Sequence, residues 1–342
     1  MKRRFARSAI AATLFVLLSA LALCCTGATA SASDDNYSLK LVLAHGATEE
    51  TVPHRSAAHF KELIEERTGG KIAVQIYPNW QLGNMGELVE GVQAGDISML
   101  VVPPGSNVSP ALSILDIPNA FPHHGAMVKT FRGGKFRTLL DAEFNKVGTQ
   151  LLSITPYAFR VMSSNVPVRN ANEFKGVKIR TLENPMHLTY WKALGAQPTP
   201  LAWSELYVAL QQGLVDAQEN PLDTIYSTKL YEQQKYAVLT NHIMYFIVFW
   251  MNLDVYDGIP EAYRKILHEA IAETSDYTLK ISDESEKESR RLLQEKGMEI
   301  IELAPEDHAI MREKAQPVYD MIRKECGDAM MNALLEELKG NE

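Results

Sequence analysis

The sequence predicts an α/β fold built from two lobes and closed by long helices near the carboxyl end. Three observations lead to this prediction. The chain has 342 residues, a length that suits two domains of ordinary size. Strand patterns and helix patterns alternate along the first 250 residues, which is typical of parallel sheets covered by helices. The remaining quarter shows mostly helical spacing.

Composition and charge exclude several functional classes. Apolar residues make up 46% and charged residues 22% of the chain, as in ordinary globular proteins. The chain has 34 Lys and Arg against 42 Asp and Glu, a net charge of −8. An acidic protein repels the phosphate backbone, so we expect no nucleic-acid partner.

The first thirty residues are predicted to be a secretory signal peptide, which places the mature protein in the periplasm. A basic start is followed by the apolar run Ser8–Cys25 and by Ala28-Thr29-Ala30, which fits a cleavage site. A membrane anchor is one alternative, although the run is short for a span of about 20 residues. A lipoprotein anchored at Cys24 or Cys25 is another, although the preceding Leu23 is larger than the residue that usually stands there.

A first set of elements alternates strand and helix. Ser38–Ala44 alternates apolar and polar residues, as in a strand. The segment His54–Glu66 carries apolar residues at helical spacing (Ala57, Phe60 and Ile64) and is predicted to end at Thr68-Gly69-Gly70. The elements that follow are a strand at Lys71–Tyr77, a helix at Gly86–Gln93 and a strand at Asp96–Val102.

A second set follows the same order and leads into the helical end of the chain. Strands are predicted at Thr149–Ile154, Phe159–Ser163, Val177–Thr181, Asp216–Gln218, Tyr236–Thr240 and Tyr245–Leu253, and helices at Met186–Leu194 and Ser204–Gln212. Two long helical regions come last, from Pro260 to about Lys296 and from Pro305 to about Leu338, and Pro317 predicts a kink in the second.

Motifs for common enzyme chemistry are missing from the sequence. It contains no dinucleotide fingerprint, no phosphate-binding P-loop and no G-x-S-x-G, and His268-Glu269 lacks the second histidine of a zinc-protease motif. We therefore assign no catalytic residue, metal ligand or cofactor. The missing motifs do not exclude a catalytic group assembled from residues that are distant in the sequence.

Several segments resemble one family of proteins. They are GKIAVQIYPNWQLGNMGELVEGVQAGDISM at 70–99, FKGVKIR at 174–180, GAQPTPLAWSELYVALQQGLVDAQENP at 195–221 and KLYEQQKYAVLTNH at 229–242. In this order and spacing they resemble the solute-binding proteins of TRAP transporters, the DctP family. The resemblance covers nearly all of the chain after the predicted signal peptide.

The resemblance implies a two-lobed periplasmic receptor with a cleft between its lobes. Lobe I is expected at 34–157 plus 246–285, and lobe II at 158–245 plus 286–342. Such receptors hold a solute, usually an organic acid, in the cleft and deliver it to membrane permease subunits. We therefore expect a monomeric, non-enzymatic binding protein that does not itself span the membrane.

Two arginines are candidates for binding a carboxylate. Arg180 ends a predicted strand, and ligands of open α/β sheets bind beyond such ends. A guanidinium can donate two parallel hydrogen bonds to a carboxylate. The resemblance puts Arg180 at the family's carboxylate clamp and Arg160 at a second arginine on the ligand side. From the residues alone, Arg180 could be a surface arginine, and Arg160 could form an ion pair with Glu183 or Glu219.

Three further residues are candidates for lining the cleft. Asn220 offers both a donor and an acceptor, or else it closes its own turn before Pro221. Trp203 matches an aromatic wall of the family and could equally be a core residue. His45, in the loop after the first strand, could donate to the solute or be structural.

The loop after the third strand, Val101-Val102-Pro103-Pro104, is apolar where family members that bind polyhydroxylated acids tend to be polar. This departure suggests a solute that is short or has an apolar side. Two other functions remain open, a periplasmic enzyme on a two-lobed scaffold and a binding protein that feeds a sensor. The sequence names neither the acid nor a metal ion that could accompany it.

Overall fold

The computed structural model describes residues 37–121 and 124–341, so the predicted signal peptide lies outside the described residues. The strands are β1 (Leu39–Ala44), β2 (Ile72–Tyr77), β3 (Met99–Val101), β4 (Thr149–Ser164), β5 (Lys178–Thr181), β6 (Gln197–Pro200), β7 (Ala217–Asn220), β8 (Tyr236–Asn252) and β9 (Glu299–Glu302). The α-helices are α1 (Val52–Arg67), α2 (Met85–Ala94), α3 (His124–Arg132), α4 (Gly134–Lys146), α5 (Pro185–Ala193), α6 (Trp203–Gln211), α7 (Leu222–Ser227), α8 (Leu253–Asp257), α9 (Glu261–Glu295), α10 (Pro305–Lys314) and α11 (Gln316–Asn341). Short 3₁₀ helices lie at Pro110–Asp116 and Leu230–Glu232.

All of these strands join one mixed sheet in the order β2-β1-β3-β8-β4-β7-β5-β6, with β9 beside β8. β1 is parallel to β2 and β3, and β5 is parallel to β6 and β7. We call β2-β1-β3 the first half-sheet and β7-β5-β6 the second half-sheet. The antiparallel strands β4 and β8 lie between them, which gives the predicted two-lobed α/β fold.

The two middle strands correct one prediction. The sequence predicts two separate strands at 149–163 and two more at 236–253, whereas β4 and β8 are each continuous. The pairing of β4 with β8 shifts register at three places, including between Pro156 and Ala158 and between Arg160 and Met162. In β8, Asn241 adopts a φ of 42°. These irregularities interrupt the alternating pattern without ending the strands.

Helix α1 shows how the sequence determines an element. Pro53 stands in its first turn, where a missing N–H costs nothing, and the helix ends before Gly69 and Gly70, both with positive φ. The predicted apolar residues Ala57, Phe60 and Ile64 are fully buried. Truncating a buried Phe such as Phe60 typically costs about 3–5 kcal/mol of stability.

Other parts of the chain were missed or misjudged. The helices at 110–146 and the strands β6 and β9 were not predicted, since β6 reads Gln-Pro-Thr-Pro and carries no strand signal. Pro317 lies at a full break, because α10 ends at Lys314 and α11 starts at Gln316. Gly327, with a φ of 78°, then divides α11 into two segments.

Helix α11, which the predicted boundaries assign to lobe II, packs on the first 3₁₀ helix, α3 and α4 as well as on α5. The lobe boundaries stay predictions. Among the helices that the structure describes, none is long and apolar enough to cross a bilayer.

Candidate functional site

Charged side chains gather where β4, β7 and β5 lie side by side. Val161 of β4 stands opposite Asn220 of β7, and Arg180 of β5 stands opposite Gln218. The parallel strands β5 and β7 therefore end at the same edge of the sheet, where such folds bind ligands. Arg160, Arg180 and Glu219 are 2%, 1% and 0% exposed, so this edge is a buried, charged site.

Arg180 is the cation of this site that lacks a full set of partners. Its Nε and Nη2 donate to the carbonyl oxygen of Leu201 at 3.0 and 2.7 Å, and its buried Nη1 has no hydrogen-bond partner. Burial, and then the nearby Arg160, lower its pKa to about 10 against the opposing effect of Glu219. The guanidinium is still charged at neutral pH, so it can hold an anionic oxygen at Nη1.

Trp203 lies against this guanidinium. Its ring centroid is 6.0 Å from Arg180 Cζ, within the range of a cation–π contact. The side chain is half-buried at the start of α6, packed on a small apolar cluster. Trp203 thus packs on the core and also covers Arg180, and its role as a wall against a solute stays a prediction.

Arg160 forms the ion pair with Glu219 that the sequence left open. Its Nε donates to Glu219 Oε2, and its Nη2 donates to Glu219 Oε1 at 3.0 Å. The Tyr245 ring centroid lies 5.2 Å from its Cζ. Glu219, rather than Glu183, is the partner because β4 and β7 are neighbouring strands. A direct contact between Arg160 and a solute stays a prediction.

Asn220 is engaged by the same network. Its Oδ1 accepts from Arg160 Nη2 at 3.1 Å, and its Nδ2 donates to Gln218 Oε1 at 2.5 Å. The amide therefore orients Arg160 within the protein. Its role toward a solute also stays a prediction.

Two histidines that were not predicted surround Glu219. His242 Nε2 lies 3.2 Å from Glu219 Oε2 in hydrogen-bond geometry. His187 Nδ1 lies 3.4 Å from Glu219 Oε1 without such geometry, so their attraction is electrostatic. Burial would raise the pKa of Glu219, but Arg160 and His187 hold it well below its usual range. Burial opposes a charged His187, yet Glu219 and Asp116 raise its pKa to about 9.

Asp116 connects this network to the 3₁₀ helix at Pro110–Asp116. Its Oδ2 accepts from Asn184 Nδ2 at 2.8 Å, and its Oδ1 lies 3.4 Å from His187 Nε2. Asn184 also caps α5 by accepting from the Met186 N–H at 2.8 Å. Asp116, which precedes β4 in the chain, is thereby hydrogen-bonded to the loop that follows β5.

His45 has partners of its own within the protein. Its Nε2 lies 3.2 Å from His54 Nδ1, and its Nδ1 accepts from the Ala47 N–H at 3.2 Å. Burial, followed by the neighbouring His54, lowers its pKa to about 3, so the ring is neutral. These contacts favour the structural interpretation, and a bond to a solute stays a prediction.

Sequence reasoning placed Arg180 at a strand end and named Glu219 as a partner of Arg160, but it missed Asp116, His187 and His242. One signal was present, since Thr240, Asn241 and His242 put three consecutive polar residues into a mostly apolar strand. Within the part of the chain that the structure describes, no three His, Cys, Asp or Glu residues are grouped to hold a metal ion.

Comparisons with known proteins find matches to the sequence and to the fold. Residues 43–325 match the family model DctP, described as bacterial extracellular solute-binding protein, family 7. The chain is 32% identical over 288 residues to the C4-dicarboxylate-binding periplasmic protein DctP of Rhodobacter capsulatus, covering 83% of this chain and 86% of the relative.

Solved structures extend the likeness to the fold. A TRAP periplasmic solute-binding protein from Desulfovibrio salexigens with bound orotic acid has a TM-score of 0.84 and 29% identity, covering 89% of this chain and 99% of its own. One from Polaromonas sp. JS666 bound to D-erythronate has a TM-score of 0.80 and 29% identity, covering 87% and 98%.

Proposed function

This chain belongs to the DctP family, family 7 of the bacterial extracellular solute-binding proteins, and on that premise we propose that it is the organic-acid receptor of a TRAP transporter. One observation carries the proposal. Arg180 Nη1 is buried among protein atoms and has no hydrogen-bond partner. A buried donor on a charged group is costly unless it is satisfied, and a carboxylate oxygen satisfies it.

The charges around Arg180 support an anionic solute. Arg160 and His187 face the carboxylates of Glu219 and Asp116, whereas Arg180 forms no ion pair within the described residues. Arg180 is thus the cation whose charge is left to a ligand. Arg160 and Asn220 hold the neighbouring edge, Trp203 covers the guanidinium, and His45 shapes the loop of the first half-sheet.

The family and the predicted signal peptide support a proposal about the location and the partners of this protein. We propose that residues 1–30 direct export and that the mature monomer works in the periplasm, where it delivers the acid to membrane permease subunits. The protein would catalyse no reaction. Sequencing of the mature amino terminus should give a start near Ser31 or Ser33, and a lipid on Cys24 or Cys25 would contradict the free periplasmic form.

A thermal-shift screen against a panel of organic acids tests the proposal. A ligand that binds only the folded state raises the melting temperature, so at least one carboxylate should do so. Titration calorimetry with that acid should then show a severe loss in Arg180→Ala. Arg291→Ala is the matched control, because Arg291 lies exposed on α9. Equal affinity in Arg180→Ala and the wild type would overturn the proposed function.

A further inference from the structure

The turn after β2 contains an aromatic residue in an unusual backbone conformation. Trp80 has a φ of 60°, and the preceding Asn79 has a φ of 59°. The left-handed region is uncommon for residues other than glycine and is an outlier for a bulky side chain. Such strain persists only where the surroundings enforce it, and it clusters at functional sites.

The surroundings of Trp80 are the loop after β1. Its N–H donates to the carbonyl of His45 at 3.2 Å, and the Asn79 N–H donates to Ala47 at 3.1 Å. The indole lies directly on Gly46, because a Cβ added to Gly46 would be 2.0 Å from Trp80 Cε2 and Cζ2. The indole is half-buried, so this packing leaves part of the ring uncovered.

The loop at 44–46 lies at the carboxyl edge of the first half-sheet. β1 and β3 are parallel and paired, with Ala44 opposite Leu100, so the loops that follow them are neighbours. The second of these loops is the apolar segment Val101–Pro104. Strand ends of this kind are where open α/β sheets bind ligands.

The apolar loop at this edge leads to a segment that lies close to the loop that follows β5. A Cβ on Gly105, just after the apolar loop, would lie 3.4 Å from Asp116 Oδ2 and 3.8 Å from Asn184 Nδ2. Asn184 is in the loop that follows β5, four residues after Arg180. The edge of the first half-sheet thus carries the half-buried Trp80 and Pro103, and the edge of the second carries one unpaired cationic donor beside Trp203.

From this juxtaposition we infer that Trp80 is a specificity-determining wall of the solute site, and that the preferred solute is a monocarboxylate with a flat, apolar body, such as an aromatic acid. The inference rests on the proposed function and narrows it. A second carboxylate would need another cation, and Arg160 is already paired with Glu219. A polyhydroxylated chain would leave its hydroxyls against apolar surface, which is costly.

Titration calorimetry of the wild-type protein with four acids tests this solute preference. Benzoate and cinnamate are the flat, apolar monocarboxylates, succinate supplies a second carboxylate, and gluconate supplies hydroxyls. We expect a flat acid to bind more tightly than succinate and gluconate. Tighter binding of succinate or gluconate would overturn the inference and leave the proposed receptor function intact.

Variants test the wall itself with the best flat acid. Trp80→Ala should weaken binding about tenfold, the scale of one lost aromatic contact, while Trp80→Phe should retain most of the affinity. Gly46→Ala should act like Trp80→Ala, since its Cβ displaces the indole. Leu214→Ala, an exposed residue after α6, is the control and should bind like the wild type.

The outcomes separate the two proposals. Unchanged affinity in Gly46→Ala and Trp80→Ala, together with loss in Arg180→Ala, refutes the wall and keeps the carboxylate receptor. Failure of every acid to bind, or indifference to Arg180→Ala, refutes the receptor itself. If Trp80→Ala does not fold, two measurements still test the wall. They are the relative affinities of the four acids for the wild type and the affinities of the Trp80→Phe and Gly46→Ala variants for the best flat acid.

Discussion

At the scale of single residues, the proposed carboxylate clamp predicts that binding depends most directly on Arg180. Arg180→Lys keeps the charge but supplies a point charge in place of a planar fork, so we expect markedly weaker binding. Arg180→Ala should be worse, because it leaves a desolvated anion without its partner. Such truncations cost about 2–5 kcal/mol, roughly 30-fold to several thousand-fold in affinity.

The same clamp can be tested from the ligand side. Converting the carboxylate of the best-binding acid to its amide should also weaken binding to the wild type. Combined with Arg180→Ala, the amide should cost much less than the sum of the two changes, since both remove one interaction. Calorimetry measures the affinity of the wild type and of Arg180→Ala for the acid and for the amide. Fully additive losses of binding free energy would show that Arg180 does not hold the carboxylate.

His187 gives a prediction for the dependence of stability on pH. Its pKa is about 9 in the fold and 6.5 in the unfolded chain. A raised pKa means that the charged form stabilises the fold, fully below pH 6.5 and no longer above pH 9. Thermal unfolding should therefore show a loss on the order of 3 kcal/mol between pH 6.5 and 9. His187→Gln should lack this loss, and an equal decline in both proteins would contradict the assignment.

The residue scale also shows where sequence reasoning stops. The strand end and the guanidinium made Arg180 a candidate, and the resemblance to the DctP family singled it out. The choice of Glu219 over Glu183 for Arg160 depends on which strands are neighbours, and that is a property of the whole sheet. Asp116 and His187 are 71 residues apart in sequence and meet only in the folded chain.

At the scale of elements, the amino end of α1 has an acidic neighbour from α7. Burial raises the pKa of Asp223 to about 6, although the Val52 N–H favours the charged carboxylate. Thr224 Oγ1 donates to Asp223 Oδ1 at 3.3 Å, and Oδ2 accepts no hydrogen bond. Ionised Asp223 is therefore a buried charge that no ion pair within the described residues neutralises.

Asp223→Asn should stabilise the protein above pH 6. With a folded pKa raised above 3.8, Asp223 contributes stability below pH 3.8 that is lost as the pH rises through 6. The amide cannot ionise, so the variant should be more stable at pH 7.5 by about 2–3 kcal/mol. The two proteins should have similar stability at pH 4. Denaturant unfolding at both pH values is the measurement, and a variant that is less stable at pH 7.5 would refute the account.

Elements with strong periodicity were predictable, and those defined by partners were not. The apolar stripe of α1 appears in the sequence because the helix buries one face on the sheet. β6 has no such stripe and becomes a strand only because it pairs with β5. β4 and β8 were divided in the prediction because their bulges interrupt the alternation that identifies a strand.

At the scale of the whole molecule, we expect the lobes to approach each other when solute binds. The predicted hinges near 155–160 and 240–250 contain the β4 register shift between Pro156 and Ala158 and the left-handed Asn241 of β8, both irregularities of the sheet. Small-angle scattering should show a smaller radius of gyration with saturating acid than without it. An unchanged radius would count against closure.

The continuity of β4 and β8 has a consequence for folding. β8 is hydrogen-bonded to β3 of the first half-sheet, β4 is hydrogen-bonded to β7 of the second half-sheet, and the two strands pair with each other, so a single sheet runs through both halves. A fragment cut at a lobe boundary would expose unpaired strand edges, which promote aggregation. We therefore expect the protein to melt as one cooperative body rather than lobe by lobe.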